Sequence, residues 1–467
     1  MLETSALAAT TTPSCSVRLH QHMLGLLLCP AKSTLSNLIC TRGGQHADWT
    51  ADYRLYSRER VDESVLFGRA RDTLVENLAP GEPLVVAIDD TIIRKTGKKI
   101  HGSAWKRDPL GPAFQTNLVL AQRYLQFSAA WPLENGEART VPIDFLHAPT
   151  PAKPPKTATP ELHKSYREAL KQRNLNRQTL KRLEILREET PASRHLVVTG
   201  DGSYTNKTIL RGKPKGSTYI GRGRKDMVVH CLPESVAGAN GRPRRYGIQA
   251  PTPDQLRQDD SVPWQNVEAF AAGKRHGFRV KTMGPVLWRK AGADLPLRVV
   301  VVAPLGYRLR KGSRMLYRQP AYLICTDPDL SLEELLQYYL WRWGIEVNFR
   351  EEKAIVGTGE AQVRTAASNQ HLPAVTVAAY AMLWTVTLQA LAEGSVLQCL
   401  QPPKWRKDRA PDGKLPSTGD LLRLLRYETW AGVLRPATFH HFASNAPPDT
   451  NARKPVPDLP AILFDAA

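Results

Sequence analysis

Two short apolar runs constrain this chain more than any other feature, because each of them stops on an aspartate. Leu84-Val-Val-Ala-Ile88 follows a Pro80-Gly81 turn and runs into Asp89-Asp90-Thr91, and His195-Leu-Val-Val-Thr199 runs into Gly200-Asp201-Gly202. An unbroken apolar run of this length predicts a strand buried on both faces, as at the centre of a mixed α/β sheet. A carboxylate at the end of such a strand is costly unless it is paired or binds a cation. The bland alternative is a turn residue, with Asp201-Gly202 as a hairpin turn and Asp89 or Asp90 in a similar place.

The rest of the chain changes character in blocks, without a repeat. Residues 1–78 predict a small helical domain with helices at 17–28, 33–40 and 57–78 and an aromatic group of Trp49, Tyr53 and Tyr56 between them. A three-helix unit in a basic protein can be a helix-turn-helix reader of DNA. A meander of strands is expected at 117–125, 126–132 and 140–146, then a Pro- and Lys-rich linker at 151–160 and one long amphipathic helix at 161–189. From 205 to 330 short strands separated by turns predict a β-rich insertion. Ser331 with Glu334 three residues later caps a helix running to about 355. An apolar helix at 372–392 is expected in a core, and Pro-rich stretches at 402–417 and 447–460 suggest a loosely packed C-terminal region. The expected domains are therefore 1–78, a catalytic domain at 79–398, and 399–467.

On the 331–355 helix, Tyr339, Arg342, Glu346 and Lys353 fall at offsets of zero, three, seven and fourteen. At about 100° per residue these positions share an arc of roughly 60° over about 21 Å. A tyrosine, two cations and one carboxylate on one stripe suit a surface that holds a phosphodiester backbone while the carboxylate holds a metal. An ordinary solvated helix face is the alternative.

These residues resemble the DDE transposases of bacterial insertion sequences that carry the Tyr-Arg-Glu-Lys signature. The run Tyr339-Leu-Trp-Arg342-Trp-Gly-Ile-Glu346, followed by Lys353, matches that spacing without a gap. Asp89-Asp90-Thr91 fits the family's first Asp-x-Thr, which favours Asp89 over Asp90 as the acid, and Asp201-Gly-Ser-Tyr204 fits its second motif. The resemblance covers residues 80–395. It implies an α/β fold with an RNase H-like mixed sheet flanked by helices, with the β-rich insertion lying between Asp201 and Glu346. It also implies Asp89, Asp201 and Glu346 as catalytic metal ligands for two Mg²⁺ or Mn²⁺ ions, and phosphoryl transfer on DNA. Tyr339, Arg342 and Lys353 would contact phosphates near the transposon end.

The charge agrees with a polyanion partner: 64 Lys and Arg stand against 44 Asp and Glu, a net charge of +20. Bases gather after each candidate acid: Arg94, Lys95, Lys98 and Lys99, then Lys207, Arg211, Lys213, Lys215, Arg222, Arg224 and Lys225. A third group, Arg308, Arg310, Lys311, Arg314 and Arg318, is interleaved with Tyr307 and Tyr317. Six scattered cysteines without a C-x-x-C pair signal neither a zinc ribbon nor a disulfide framework, and His440-His441 has no further ligand at metal spacing. There is no Walker A loop and no G-x-G-x-x-G after a strand, which argues against nucleotide chemistry. The expectation is a cytoplasmic, membrane-free, cut-and-paste transposase. It would act on double-stranded DNA, both inverted-repeat ends and target, as a homodimer. A non-cutting domesticated relative and a host nuclease on the same fold are the alternatives.

Overall fold

The computed structural model describes all residues except 110, 113, 234–243, 292–294, 309, 311, 396–399, 401–414 and 432–467. The chain divides into two compact units, one of residues 1–70 with 349–467 and one of residues 71–348. This cut differs from the expected one at 78 and 398. The Pro-rich stretch 447–460, Cys399, His440, His441 and Lys311 lie outside the described residues.

The first unit begins with α1 (Leu2–Ala8), α2 (Pro13–Leu28), α3 (Leu35–Thr41), α4 (Thr50–Ser57) and α5 (Glu63–Asn77), and α5 crosses the cut. The helix expected at 57–78 forms as α5, starting only at Glu63, and the aromatic group belongs to α4 and the residue that precedes it. Thr12 starts α2: its side chain accepts the Cys15 amide, and Pro13 occupies the first turn, where no amide is needed. Leu19, Met23 and Leu26 on α2 are buried, and α2 packs against α12 (Ala366–Ala392), α13 (Thr418–Ala431) and α4. Among the described residues α12 alone is long and apolar enough to cross a membrane, yet 72% of its most apolar window is buried inside the protein. The core-helix expectation therefore fits it. α13 has no counterpart among the expected helices; it buries Leu421 and Leu422 together with Arg423 and Arg426.

The second unit is built on one large mixed sheet. Its first strands are β1 (Leu84–Arg94), β2 (Ala104–Arg107), β3 (Leu118–Pro132) and β4 (Ala138–His147). After them come α6 (Pro160–Gln172), α7 (Leu175–Glu189), β5 (Leu196–Gly200), α8 (Lys207–Gly212) and β6 (Ser217–Arg222). The long helix expected at 161–189 is thus broken, because the Asn174 side chain accepts the Arg177 amide and starts a new helix there. β1, β3 and β4 form an antiparallel meander. β5 then lies parallel to β1 on its other side, and β6 lies parallel to β5.

The segment expected as a β-rich insertion holds β7 (His230–Cys231), α9 (Pro253–Gln258), β8 (Gln265–Ala271), β9 (Lys274–Leu287), β10 (Pro296–Val302), β11 (Gly306–Tyr307), β12 (Leu316–Tyr317) and β13 (Ala321–Cys325). Its longer strands extend the main sheet, in the order β2-β3-β1-β5-β6-β13-β10-β9-β7, while β11 and β12 form a separate hairpin. β13 joins by pairing antiparallel to β6. No strand forms at 246–249, where an isolated bridge joins His230 to Gln249. α10 (Leu332–Trp341) buries Leu335 and Leu336 in the same apolar cluster as Val197, Ile220 and Val300. α11 (Trp343–Ala354) follows it and crosses the cut between the units. This mixed sheet flanked by helices is compatible with an RNase H-like DDE fold.

Candidate active site

The parallel pairing of β1 with β5 ends at Ile88 and Gly200. Asp89 continues β1 and Asp201 follows the end of β5, and neighbouring strands lie about 4.8 Å apart. β1 itself does not stop at Asp89, as the sequence suggested, but continues to Arg94 while paired only with β3. Asp89 is therefore where the parallel ladder ends rather than where the strand ends. Gly200 is required beside it: a Cβ there would lie 2.4 Å from the Tyr219 hydroxyl, so only glycine lets that buried ring pack under the strand end.

Glu346 arrives on the first turn of α11. The continuous helix expected from 331 to 355 is broken at Arg342, where the backbone tightens. The Arg342 amide donates to the Tyr339 carbonyl at 3.2 Å, and the Ile345 amide donates to the Arg342 carbonyl at 3.1 Å. Close packing accompanies the break, since a Cβ on Gly344 would meet Thr140 Oγ1 at 2.4 Å. The single stripe is thus divided: Tyr339 sits in the last turn of α10, Arg342 is the junction, and Glu346 and Lys353 sit on α11. The Ser331 cap forms as expected, its hydroxyl accepting the Glu334 amide at 3.2 Å.

The break turns Arg342 toward the first acid. Its Nη1 lies 3.4 Å from Asp89 Oδ2, with both side chains mostly buried. The guanidinium also lies over the Tyr339 ring at 5.7 Å, and Arg342 Nε is buried without a hydrogen-bond partner. Asp89 Oδ1 accepts the Asp90 amide at 2.8 Å. Burial, with the carboxylates of Asp201 and Glu346 adding to it, pushes the Asp89 carboxyl up to about 7; the Asp90 amide and Arg342 act against that rise. Burial likewise raises the Tyr339 hydroxyl.

Asp90, the second choice for the first acid, is engaged elsewhere. Its Oδ2 lies 3.0 Å from Arg123 Nε and its Oδ1 accepts the Tyr204 hydroxyl at 3.1 Å. Asp201 Oδ1 accepts the Ser203 amide at 2.8 Å and the Ser203 hydroxyl at 2.7 Å, which holds the Asp201–Thr205 turn closed. Tyr204 and Arg123 are the residues that reasoning from sequence missed as parts of the site. Tyr204 stood within the second motif, but nothing there indicated what its hydroxyl would meet. Arg123 is diagonal to Asp90 across the β1–β3 ladder, a relation visible only once Asp90 is seen opposite Leu125.

The donor set is chemically suited to a hard divalent cation, since Asp89, Asp201 and Glu346 offer only oxygen. Burial is the main cause of the raised Asp89 carboxyl, and the carboxylates of Asp201 and Glu346 add to it, a contribution that such a cation would relieve. The side chains are not closed round one point, however: among the described residues no three His, Cys, Asp or Glu are grouped tightly enough to hold an ion.

The expected DNA contacts are dispersed. Lys207 and Arg211 are exposed on α8, shortly after Asp201, and Arg211 Nε donates to the Ala291 carbonyl at 2.9 Å. Arg310 and Arg314 are exposed in the loop of the β11–β12 hairpin, where Arg318 lies over the Tyr307 ring at 5.2 Å. Lys353 is exposed and belongs to the helical unit. Two of the expected bases are neutralised locally: Arg94 pairs with Asp108 at 2.7 Å and Arg224 with Asp226 at 2.8 Å.

A family model described as DDE superfamily endonuclease matches residues 13–293. The match spans more than half of the 467 residues. It includes Asp89 and Asp201 and stops before Tyr339, Arg342, Glu346 and Lys353. No curated protein matches the chain.

Proposed function

The chain belongs to the DDE superfamily endonucleases, and on that premise we propose that it is a cut-and-paste DNA transposase of the Tyr-Arg-Glu-Lys class, with Asp89, Asp201 and Glu346 as its catalytic acids. The observation that carries the proposal is that Asp89 and Asp201 each follow the last pair of one parallel ladder, with the charges of Glu346 and Arg342 both acting on Asp89. Mg²⁺ or Mn²⁺ held by the three acids would supply activation of the attacking hydroxyl and stabilisation of the leaving oxygen. The residues themselves supply position. Arg342, with one buried guanidinium nitrogen unpartnered, and Tyr339 offer donors to the phosphate that is cut. They do so without competing for the cation. Lys207, Arg211, Arg310, Arg314 and Lys353 hold the flanking backbone, and two copies of the chain engage the paired inverted-repeat ends. The Asp90 carboxylate faces Tyr204 and Arg123, whereas Asp89 is acted on by both Asp201 and Glu346, which supports Asp89 as the first acid.

The test is cleavage of a duplex carrying the element's own end, in Mg²⁺ and in Mn²⁺. Glu346→Gln is expected to lose at least about a hundredfold in rate, the scale on which a charge-stabilising group acts. Equal cutting by wild type and variant would overturn the assignment. Inverted repeats flanking the coding sequence separate a transposase from a host nuclease.

A further inference from the structure

The ladder that holds β1 beside β5 ends one residue before the two aspartates, so something else must fix the distance between them. We propose that the Tyr204 hydroxyl, acting through Asp90, is a positioning device that sets the spacing of Asp89 and Asp201. The inference rests on the assignment of those two acids as metal ligands.

The connection runs through named groups. Asp201 Oδ1 closes its turn on the amide and hydroxyl of Ser203 and, at 3.4 Å, the amide of Tyr204. The Thr205 hydroxyl and amide both return to the Asp201 carbonyl, at 2.9 and 3.1 Å. The turn is therefore closed by several hydrogen bonds, and the Tyr204 side chain within it is fully buried. Its hydroxyl donates to Asp90 Oδ1 at 3.1 Å, and Asp90 is the residue bonded to Asp89 along β1. The other Asp90 oxygen faces Arg123 on β3 at 3.0 Å. Asp90 is thus held from two sides, by the strand next to β1 and by the turn that carries Asp201. Successive side chains of a strand point to opposite faces, so a clamp on Asp90 orients Asp89 toward the other face without occupying it. A phenol donating to a carboxylate that also faces an arginine is a directional contact, suited to fixing a spacing.

The experiment is a Mn²⁺ titration of the full-length protein without DNA, followed by the electron paramagnetic resonance signal of free Mn²⁺. A thermal melt of each variant is recorded beside it. Asp89→Asn should lose most of the binding. Tyr204→Phe, which removes one oxygen, should melt within a few degrees of wild type yet bind Mn²⁺ about tenfold more weakly, and its cleavage rate should recover as Mn²⁺ is raised. Asp90→Asn keeps an oxygen to accept from Tyr204 and should be milder than Asp90→Ala. Arg123→Gln, at a half-exposed side chain, tests the same clamp should Tyr204→Phe fail to fold. Wild-type Mn²⁺ affinity in Tyr204→Phe and Arg123→Gln, beside an impaired Asp89→Asn, would overturn the positioning role alone. Loss of binding in Asp90→Asn as complete as in Asp89→Asn would also overturn it, by making Asp90 a ligand. Unimpaired binding by Asp89→Asn would overturn the assignment of the acids and the inference with it.

Discussion

At the scale of single residues, the chain spends stability on Asp89. Burial and two neighbouring carboxylates lift its carboxyl from 3.8 to about 7, so the folded protein holds this proton more tightly than the unfolded chain does. The sign follows from linkage: the group's contribution is most favourable below about 4, is lost as pH rises to about 7, and is constant above that. Replacing the charge with an amide should therefore help where the carboxylate is ionised. Asp89→Asn is expected to stabilise the metal-free protein at pH 8 by about 1–3 kcal/mol and to do little at pH 4. Denaturant unfolding at the two pH values checks this, and a destabilised variant at pH 8 would contradict it. Asp89 and Asp201 were legible because a carboxylate following an apolar run is conspicuous in any sequence. Arg123 and the Tyr204 hydroxyl were not, because their meaning depends on cross-strand register and on where a turn folds back.

At the scale of elements, strands were easier to foresee than helix breaks. The apolar runs that became β1, β5 and β10 are continuous and β-branched, and burial on both faces leaves little choice of conformation. The breaks at Asn174 and Arg342 occur inside helical patterns, where one cap or one close approach outweighs propensities worth a few tenths of a kcal/mol each. In the helical unit, a polar contact ties α5 to α12: His371 Nδ1 lies 2.8 Å from Glu63, and its Nε2 lies 3.1 Å from the exposed Glu59. Burial opposes ionisation of both His371 and Glu63, yet their mutual hydrogen bond and attraction prevail. The histidine is raised above 6.5 and the glutamate lowered below 4.5. His371 then contributes stability below 6.5 that is lost as pH rises through its folded value. Glu63 contributes above 4.5 and loses it as pH falls through its own. The pair is strongest between those limits. His371→Asn should cost about 1–2 kcal/mol at pH 5.5 and clearly less at pH 9. Chemical denaturation of both proteins at each pH measures the difference, and a cost independent of pH would rule the ion pair out.

At the scale of the whole molecule, the net charge of +20 is an excess that folding does not consume. Some bases that looked available are neutralised within the fold, as Arg94 is by Asp108 and Arg224 by Asp226. The β11–β12 hairpin is different. It stands outside the main sheet, and Arg310 and Arg314 are exposed in its loop. Bases placed this way contribute to DNA affinity mainly by displacing counterions, with log affinity falling against log salt by about 0.9 for each phosphate contact. Neutralising both, as Arg310→Gln with Arg314→Gln, should lower the slope by about 2 while leaving the fold and the Mn²⁺ affinity unchanged. The loss should be uniform across DNA sequences, because phosphate contacts carry no base information. A gel-shift salt series on the element's end and on unrelated DNA decides the matter. A slope unchanged by the double substitution would exclude the hairpin from the interface. A change confined to the element's end would instead make it a reader of sequence.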